Sequence, residues 1–152
     1  MLDTKHLEVI KIVATVLLIT KGFKAAWRIG YQNRPNLFAL NIVLPSISYK
    51  IVIEVDERYN VNGYKLRVIN YKQVYQDLKL VYDQGVRSCA IVFMHSFRFP
   101  HHENQISKIA KNIGFTQVAV SHQVSPLMKL VKRGDTTVVD AYLLPISCRY
   151  ID

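Results

Sequence analysis

Cysteine is scarce in this chain, which has only Cys89 and Cys148 among its 152 residues. Two cysteines cannot form the disulfide framework of a small secreted domain. They do not form a Cys-x-x-Cys pair either, so the common zinc and redox motifs are absent from the sequence. Because Cys89 lies within an apolar run, we expect both thiols to be reduced and packed, which is typical of a cytoplasmic protein.

Long apolar runs are also lacking. The apolar run at residues 12–19 is too short to cross a bilayer, which takes about 20 apolar residues. Lys5 and Lys11 precede this run, as in a signal peptide, but Lys21 and Phe23 follow it where small residues should mark cleavage. We therefore interpret the run as the first strand, and expect no membrane partner and a cytoplasmic location.

Acidic residues are few: Asp and Glu together number 11 against 20 Lys and Arg, which gives a formal net charge of +9. Such an excess can serve nucleic-acid binding. Here the basic residues are spread along the chain, and only Lys132 and Arg133 are adjacent. Since binding to phosphate backbones needs clustered charge, we expect a solvated basic surface and no nucleic-acid partner.

Three familiar motifs are missing. The six glycines form no Gly-x-Gly-x-x-Gly, no Walker lysine loop and no Gly-x-Ser-x-Gly elbow, and no internal repeat occurs. At 50% hydrophobic residues, a chain of this length can build one core but is too short for two domains. We expect residues 1–152 to form a single α/β segment.

The clearest positive signal is a continuous apolar run at residues 89–94, which is typical of a strand covered on both faces in a parallel sheet. Helical periodicity follows, with Ile106 and Ala110 on one face and Gly114 at its end. Another apolar segment comes directly afterwards. The pattern predicts a mixed sheet containing a right-handed βαβ unit: strand 88–94, helix 102–113 and strand 116–121. Upstream, Asn70 and Gly85 are predicted to begin and end another helix.

A turn signal, Asn62 and Gly63, separates strand-like residues 49–56 from residues 64–69 and predicts an irregular hairpin. Asp56 and Glu57 lie where its first strand would end. Neighbouring strand residues point to opposite faces, so we interpret these carboxylates as an exposed strand end rather than an acid–base pair or metal site.

The last helix is predicted to begin at Asp135 as N-cap, after a turn at residues 132–137. Pro145 is expected to bend or shorten it. Four side chains are predicted to face inward: Val138, Val139, Tyr142 and Leu143.

The loop after the central strand carries His95, His101, His102 and Glu103. In open α/β sheets ligands bind at the carboxyl ends of strands, so this loop is the predicted site. The spacing matches no common metal motif, and we expect no metal. We interpret Glu103 as a carboxylate in the first turn of the helix at 102–113, where it interacts favourably with the helix dipole. His95 is a candidate substrate or phosphate contact.

Arg34 lies in a predicted irregular connection, residues 30–48, directly before Pro35. Proline keeps the preceding residue out of the α region, which partly fixes the direction of this side chain. Two interpretations stay open: an anion clamp, or a loop arginine that bonds backbone carbonyls.

Several segments, taken in chain order, resemble the 5-oxoprolinase/hydantoinase A family, and in particular eukaryotic-type 5-oxoprolinases. The segments lie at residues 20–23, 32–38, 54–58, 85–88, 94–97, 102–103, 114–121, 133–136 and 140–145. Two positions depart from the family pattern by losing a carboxylate: Ala39 stands where Asp is usual, and Gln123 where Glu is usual.

The resemblance implies part of a larger fold that uses ATP and Mg²⁺ to hydrolyse a cyclic amide, 5-oxo-L-proline, to L-glutamate in glutathione turnover. The family's acidic, glycine-rich phosphate-binding segment is absent, so we expect this chain to bind neither ATP nor Mg²⁺ alone and to be inactive alone. Substrate-binding residues implied are Arg34, His95 and Arg133; no catalytic residue is assigned.

The expected partners are a small cyclic-amide substrate and other parts of the same polypeptide, since we interpret the chain as truncated at both ends. Homodimer formation stays open. The alternative function is a non-catalytic α/β binding or interaction module that reuses this scaffold.

Overall fold

The structure is a computed structural model in which residues 14–26, 38 and 49–151 are described. The described elements follow one another along the chain as β1 Thr15–Thr20, β2 Ile51–Val55, β3 Arg58–Tyr59, β4 Lys65–Arg67, α1 Tyr71–Asp83, β5 Ser88–Val92, α2 His101–Ile113, β6 Gln117–Val120, α3 Ser121–Val124 and α4 Leu130–Ile151. This order confirms the predicted α/β class.

The main sheet has the strand order β2-β1-β5-β6, and each neighbouring pair is parallel. Strands β5 and β6 flank α2, so the predicted βαβ unit is confirmed with slightly different bounds. The central strand ends at Val92 rather than at residue 94, because the next backbone N–H, that of Phe93, donates to the Glu103 carboxylate at 2.9 Å. All residues of β1 and β5 are buried, as the continuous apolar run predicted.

Helices cover both faces of the sheet. On one face, Val16, Leu18 and Ile91 pack with the apolar sides of α1 and α2. On the other face, Leu17 and Ala90 pack with residues of α4. Full burial of a leucine or isoleucine side chain stabilises the fold by about 1.5–3 kcal/mol. Successive side chains of β1 point to opposite faces, so this strand packs against the helices of both layers.

The predicted limits of α1 and α2 are confirmed. The side chain of Asn70 accepts a hydrogen bond from the N–H of Gln73 at 3.3 Å, which caps α1. Gly114 ends α2 with φ +118°, a conformation that disfavours residues with a Cβ atom. A Cβ atom there would also lie 3.0 Å from the Tyr82 hydroxyl oxygen.

The predicted hairpin has a different first strand. Strand β4 pairs antiparallel with β3, whereas β2 leaves the hairpin and pairs parallel with β1 at the edge of the main sheet. Burial explains the difference, because β2 covers Ile53 and Val55 only when it joins the core. The turn is nevertheless at the predicted place, and Asn60 Oδ1 accepts hydrogen bonds from the N–H groups of Asn62 and Tyr64, each at 2.9 Å.

The prediction for the last helix is wrong at its start. Helix α4 begins at Leu130, so Asp135 lies inside it rather than at its cap, and the helix continues through Pro145. Val139 and Leu143 are 44% and 45% exposed instead of inward. The buried side chains of this helix are Arg133, Thr137, Val138 and Ala141. Because α4 begins at Leu130, the Arg133 side chain points to the ends of the strands, where it bonds the carbonyl of Phe93.

Packing of the two thiols also differs from the expectation. Cys89 is buried within β5, and burial raises the pKa of its thiol. Cys148, in contrast, is exposed on α4. Within the described ranges, no helix combines the length and the apolar character that spanning a membrane takes.

Candidate functional site

Buried polar side chains gather at the carboxyl edge of the parallel sheet. They come from the strand ends, from the first turn of α2 and from α4: Thr20, Glu57, Ser96, His102, Glu103, Ser121 and Arg133. Buried polar groups need hydrogen-bond partners, so a set of this size implies a connected network. This is also the edge at which ligands bind in open α/β sheets.

Glu103 is the centre of the network. Its fully buried carboxylate accepts hydrogen bonds from Phe93 N at 2.9 Å and from Ser121 Oγ at 2.6 Å. His122 donates from its backbone N at 3.2 Å and bonds through Nδ1 at 2.7 Å. The carboxylate therefore ties the end of β5 to the segment after β6. The sequence interpretation, a first-turn carboxylate near the helix dipole, placed Glu103 correctly in the first turn but did not predict its burial or its hydrogen-bond partners.

Arg133 is the cationic counterpart of Glu103. Its Nε donates to Ser121 Oγ at 3.0 Å, and one terminal nitrogen donates to the carbonyl of Leu127 at 2.6 Å and to that of Met128 at 3.4 Å. The other terminal nitrogen donates to the carbonyls of Phe93 and Met94. Burial lowers the pKa of the guanidinium, and the nearby Glu103 charge acts against that shift. A guanidinium has five N–H groups, and these five acceptors within the protein match their number. A substrate-binding role for Arg133 stays a prediction.

A second buried pair links β2 to α2. Glu57 accepts a hydrogen bond from the Thr20 hydroxyl, and its other carboxylate oxygen lies 2.8 Å from His102 Nδ1. This contact holds the His102 ring in one orientation. Among the described residues, His102 Nε2 has no hydrogen-bond partner. The ring packs against Tyr59, with centroids 4.3 Å apart.

The two neighbouring carboxylates, Asp56 and Glu57, do point in opposite directions, as their adjacency predicted. Asp56 is exposed and pairs with Arg67 at 2.7 Å and with Lys21 at 3.8 Å. Glu57 is only 3% exposed, so the expectation of an exposed strand end is wrong for this residue. The reason is tertiary, because Thr20 and His102 supply the partners that permit burial.

His95 lies directly after the central strand and is partly buried. Its carbonyl accepts hydrogen bonds from Arg98 N at 3.1 Å and Phe99 N at 2.9 Å, which closes a compact turn. The His95 ring lies 6.4 Å from the ring of Phe97, and the Arg133 guanidinium lies 5.5 Å from the same ring. The structure thus brings two of the three predicted site residues to one aromatic side chain.

Arg34 lies outside the described residues, so its position relative to this edge stays a prediction. Within the described ranges, no three His, Cys, Asp or Glu side chains are grouped so that they could hold a metal ion. The carboxylates at this edge, Glu57 and Glu103, accept hydrogen bonds from the protein itself.

A simple sequence signal would have found part of this network. Thr20 is the last residue of β1, and Ser121 directly follows β6, so each is a polar residue where an apolar strand stops. Parallel strands end at the same edge, and such residues converge there. The partner choice of Glu57 has no comparable signal, because His102 is 45 residues away along the chain.

The exposed pair of Asp56 and Arg67 gives a prediction about pH. The hydrogen bond from Arg67 lowers the pKa of the Asp56 carboxyl. The interaction therefore stabilises the fold above the unfolded pKa of aspartate, and that contribution is lost as pH falls through the lower folded pKa. We expect Arg67→Gln to return the Asp56 pKa toward its usual value in a carboxyl NMR titration. An unchanged pKa would contradict this cause, and Asp77, which accepts from Gln73 on α1, serves as the control carboxyl.

The fold and the site define an α/β segment with a buried polar network at the carboxyl ends of parallel strands. The chain belongs to the hydantoinase/oxoprolinase N-terminal region family, which it matches over residues 4–114. The resemblance found in the sequence is thereby confirmed.

Curated relatives include three proteins named 5-oxoprolinase. The chain is 38% identical to 5-oxoprolinase of Dictyostelium discoideum over 162 residues, which cover 90% of this chain and 13% of that protein. It is 36% identical to 5-oxoprolinase of Saccharomyces cerevisiae, covering 89% of this chain and 13% of that protein. For 5-oxoprolinase 1 of Arabidopsis thaliana, the identity is 38%, over 89% of this chain and 12% of that protein. The chain thus spans about an eighth of the length of these relatives.

Solved structures agree on the fold. The ATP-dependent caprolactamase from Pseudomonas jessenii superposes with a TM-score of 0.80 at 24% identity, over 91% of this chain and 21% of that chain. A nucleotide-free acetone carboxylase superposes with a TM-score of 0.74 at 16% identity, over 90% of this chain and 21% of that chain. The predicted membership of a larger fold is therefore confirmed.

Proposed function

We propose that this chain is a segment of an ATP-dependent 5-oxoprolinase, which hydrolyses 5-oxo-L-proline to L-glutamate in glutathione turnover. The observation that carries the proposal is 36–38% identity to three proteins of that name along about nine tenths of the chain. The unpaired cysteines suit a reducing compartment, and the cytoplasm is the proposed location. Its partners are the cyclic-amide substrate and the remainder of a longer polypeptide, without nucleic acid.

The chemistry of the substrate explains why such an enzyme would use ATP. A lactam is stabilised by resonance between nitrogen and carbonyl, and phosphorylation of its oxygen turns that position into a leaving group. Among the described residues, no three His, Cys, Asp or Glu side chains are grouped as ligands of one metal ion. The buried carboxylates of Glu57 and Glu103 accept hydrogen bonds from the protein. In this proposal, other parts of the longer polypeptide bind the nucleotide.

In this proposal the segment supplies a rigid substrate-facing edge. Glu103 and Arg133 join the ends of β5, β6 and α4, so the loop that carries His95 starts from fixed backbone. Precise placement of substrate contacts lowers reaction barriers, because the geometry is set before binding. His95 and Arg34 are proposed as substrate contacts, and Arg133 as a third that would also hold the edge.

The first prediction of this proposal concerns the nucleotide. We expect calorimetric titration of the isolated 152-residue chain to show no micromolar ATP binding, and phosphate-release assays to show no turnover. Nucleotide sites of this kind need backbone donors and a carboxylate that holds Mg²⁺ in one place. Micromolar ATP binding by the chain alone would contradict this prediction and favour the alternative, an independent binding module.

The second prediction tests Arg34 in a full-length relative. A planar guanidinium holds a carboxylate with two parallel hydrogen bonds, which a lysine ammonium cannot reproduce. Replacing the aligned arginine by lysine is expected to lower kcat/KM by about 1.5–3 kcal/mol, the range of a charge-assisted hydrogen bond.

Lys72 is the matched control, because its side chain is exposed on α1. Replacing the aligned residue there should leave kcat/KM unchanged. Equal effects at both positions would show that Arg34 is an ordinary loop residue. His95 and Arg133 would then be the better candidates for holding the carboxylate.

A further inference from the structure

A cavity of about 450 Å³ lies between the turn after β1, the end of β2 and the β3–β4 hairpin. It joins two segments that are far apart in the sequence and have no role in the proposed function, residues 21–22 and residues 56–58. Its described lining is Lys21, Gly22, Asp56, Glu57, Arg58, Leu66 and Arg67. The volume is within the range of about 300–1,000 Å³ that small-molecule sites occupy.

The lining has an excess of positive charge. Three cations, Lys21, Arg58 and Arg67, face two carboxylates, Asp56 and Glu57, which leaves a formal charge of +1. Both carboxylates already have partners. Asp56 bonds Arg67 and contacts Lys21, and Glu57 bonds Thr20 and His102.

Arg58 is the cation left over. Within the described ranges no carboxylate forms an ion pair with it, and its guanidinium lies 5.5 Å from the ring centroid of Phe23. Its register partner across the hairpin is Arg67, so two arginines lie directly opposite each other. Like charges in that arrangement are destabilising. Arg67 is compensated by Asp56, whereas Arg58 is partly buried and forms no ion pair with any described residue.

We propose that this cavity binds a small oxyanion, a carboxylate or a phosphoryl group, with Arg58 as its main partner. An anion there offsets the repulsion between Arg58 and Arg67 across the hairpin. It also gives the two parallel N–H donors of the Arg58 guanidinium acceptors of matching geometry. Lys21 and Arg67 add positive charge to the lining. The proposal does not rest on the 5-oxoprolinase reaction, because it concerns binding by residues of this chain alone.

The test is an NMR titration of the ¹⁵N-labelled 152-residue chain with inorganic phosphate and, separately, with 5-oxo-L-proline at constant ionic strength. We expect saturable shifts at the amides of Gly22 and Arg58. Arg58→Gln should weaken binding about tenfold or more, as the loss of a charge-assisted bond does. The affinity of Arg58→Lys should lie between those of the unmodified chain and Arg58→Gln, since lysine keeps the charge and loses the paired N–H donors of the guanidinium.

Lys72→Gln is the control, because it removes the same charge from the exposed face of α1. Tighter binding of phosphate or of 5-oxo-L-proline identifies the source of the oxyanion. Absence of saturable shifts with both probes overturns the proposal, as do equal losses in Arg58→Gln and Lys72→Gln, which indicate general attraction to a basic surface. If circular dichroism shows that Arg58→Gln is unfolded, Arg58→Lys decides, and undiminished binding in that variant excludes a bidentate site.

Discussion

Replacing Glu103 by alanine is expected to lower the free energy of unfolding by about 3–5 kcal/mol, the usual cost of removing one member of a buried charged network. The change leaves Phe93 N, Ser121 Oγ and His122 N without their acceptor inside the protein. It also leaves the Arg133 guanidinium buried without its nearest described carboxylate charge. Urea denaturation of the 152-residue chain, followed by circular dichroism, measures the loss.

Asp83→Ala is the matched control for this prediction. Asp83 is an exposed carboxylate that pairs with Lys79 one helical turn away at 3.3 Å. Such pairs contribute about 0.3–0.5 kcal/mol, so the control should change the unfolding midpoint little. Glu103→Gln keeps one carbonyl acceptor and should lie between the two. Comparable losses in Glu103→Ala and Asp83→Ala would show that the carboxylate network does not hold this edge together.

Replacing Arg133 by methionine is expected to cost a similar amount, about 3–5 kcal/mol, because it removes five donors from a buried position. The carbonyls of Phe93 and Met94 lose a partner at the end of β5, and that of Leu127 loses one in the segment before α4. Arg133→Lys has fewer donors and should recover only part of the loss.

The control for Arg133 is Arg98→Met. Arg98 is exposed and lies 5.6 Å from the ring of Phe99, so its removal should cost less than about 1 kcal/mol. Chemical denaturation again gives the values. A small loss for Arg133→Met would show that the guanidinium does not hold the end of β5 and the start of α4 together.

The double replacement adds a sharper measurement. Glu103 and Arg133 both bond Ser121 Oγ, so they belong to one network. Residues in one network commonly show coupling energies of about 0.5–3 kcal/mol in double-mutant cycles. We expect the loss in the double variant to differ from the sum of the single losses by an amount in this range, whereas strict additivity would argue for two independent contacts.

Local patterns in the sequence determined much of this fold. The continuous apolar run at residues 89–94 predicted a strand buried on both faces, and Asn70, Gly85 and Gly114 marked where helices begin or end. These predictions succeeded because capping and left-handed glycine conformations depend on neighbours in the chain. The family was also accessible from the sequence, because its motifs occur in order along the chain.

The sequence predicted the polar edge of the sheet only in part. The sequence identified the loop after the central strand and named His95 and Arg133, but it assigned Glu103 to the helix dipole and Glu57 to an exposed strand end. Both carboxylates are buried, since Ser121, His122 and His102 supply their hydrogen-bond partners. Burial of a charge depends on partners that converge in space, and no local pattern records which distant residues they are.

The sequence by itself therefore determined α1, the parallel βαβ unit of β5, α2 and β6, and the family. Tertiary structure alone decided that β2 leaves the hairpin for the main sheet, that α4 begins at Leu130, and that the residues around Glu103 and Arg133 form one network. The physical reason is range: capping and periodicity act over a few residues, whereas strand partners and buried charges are selected by the whole core.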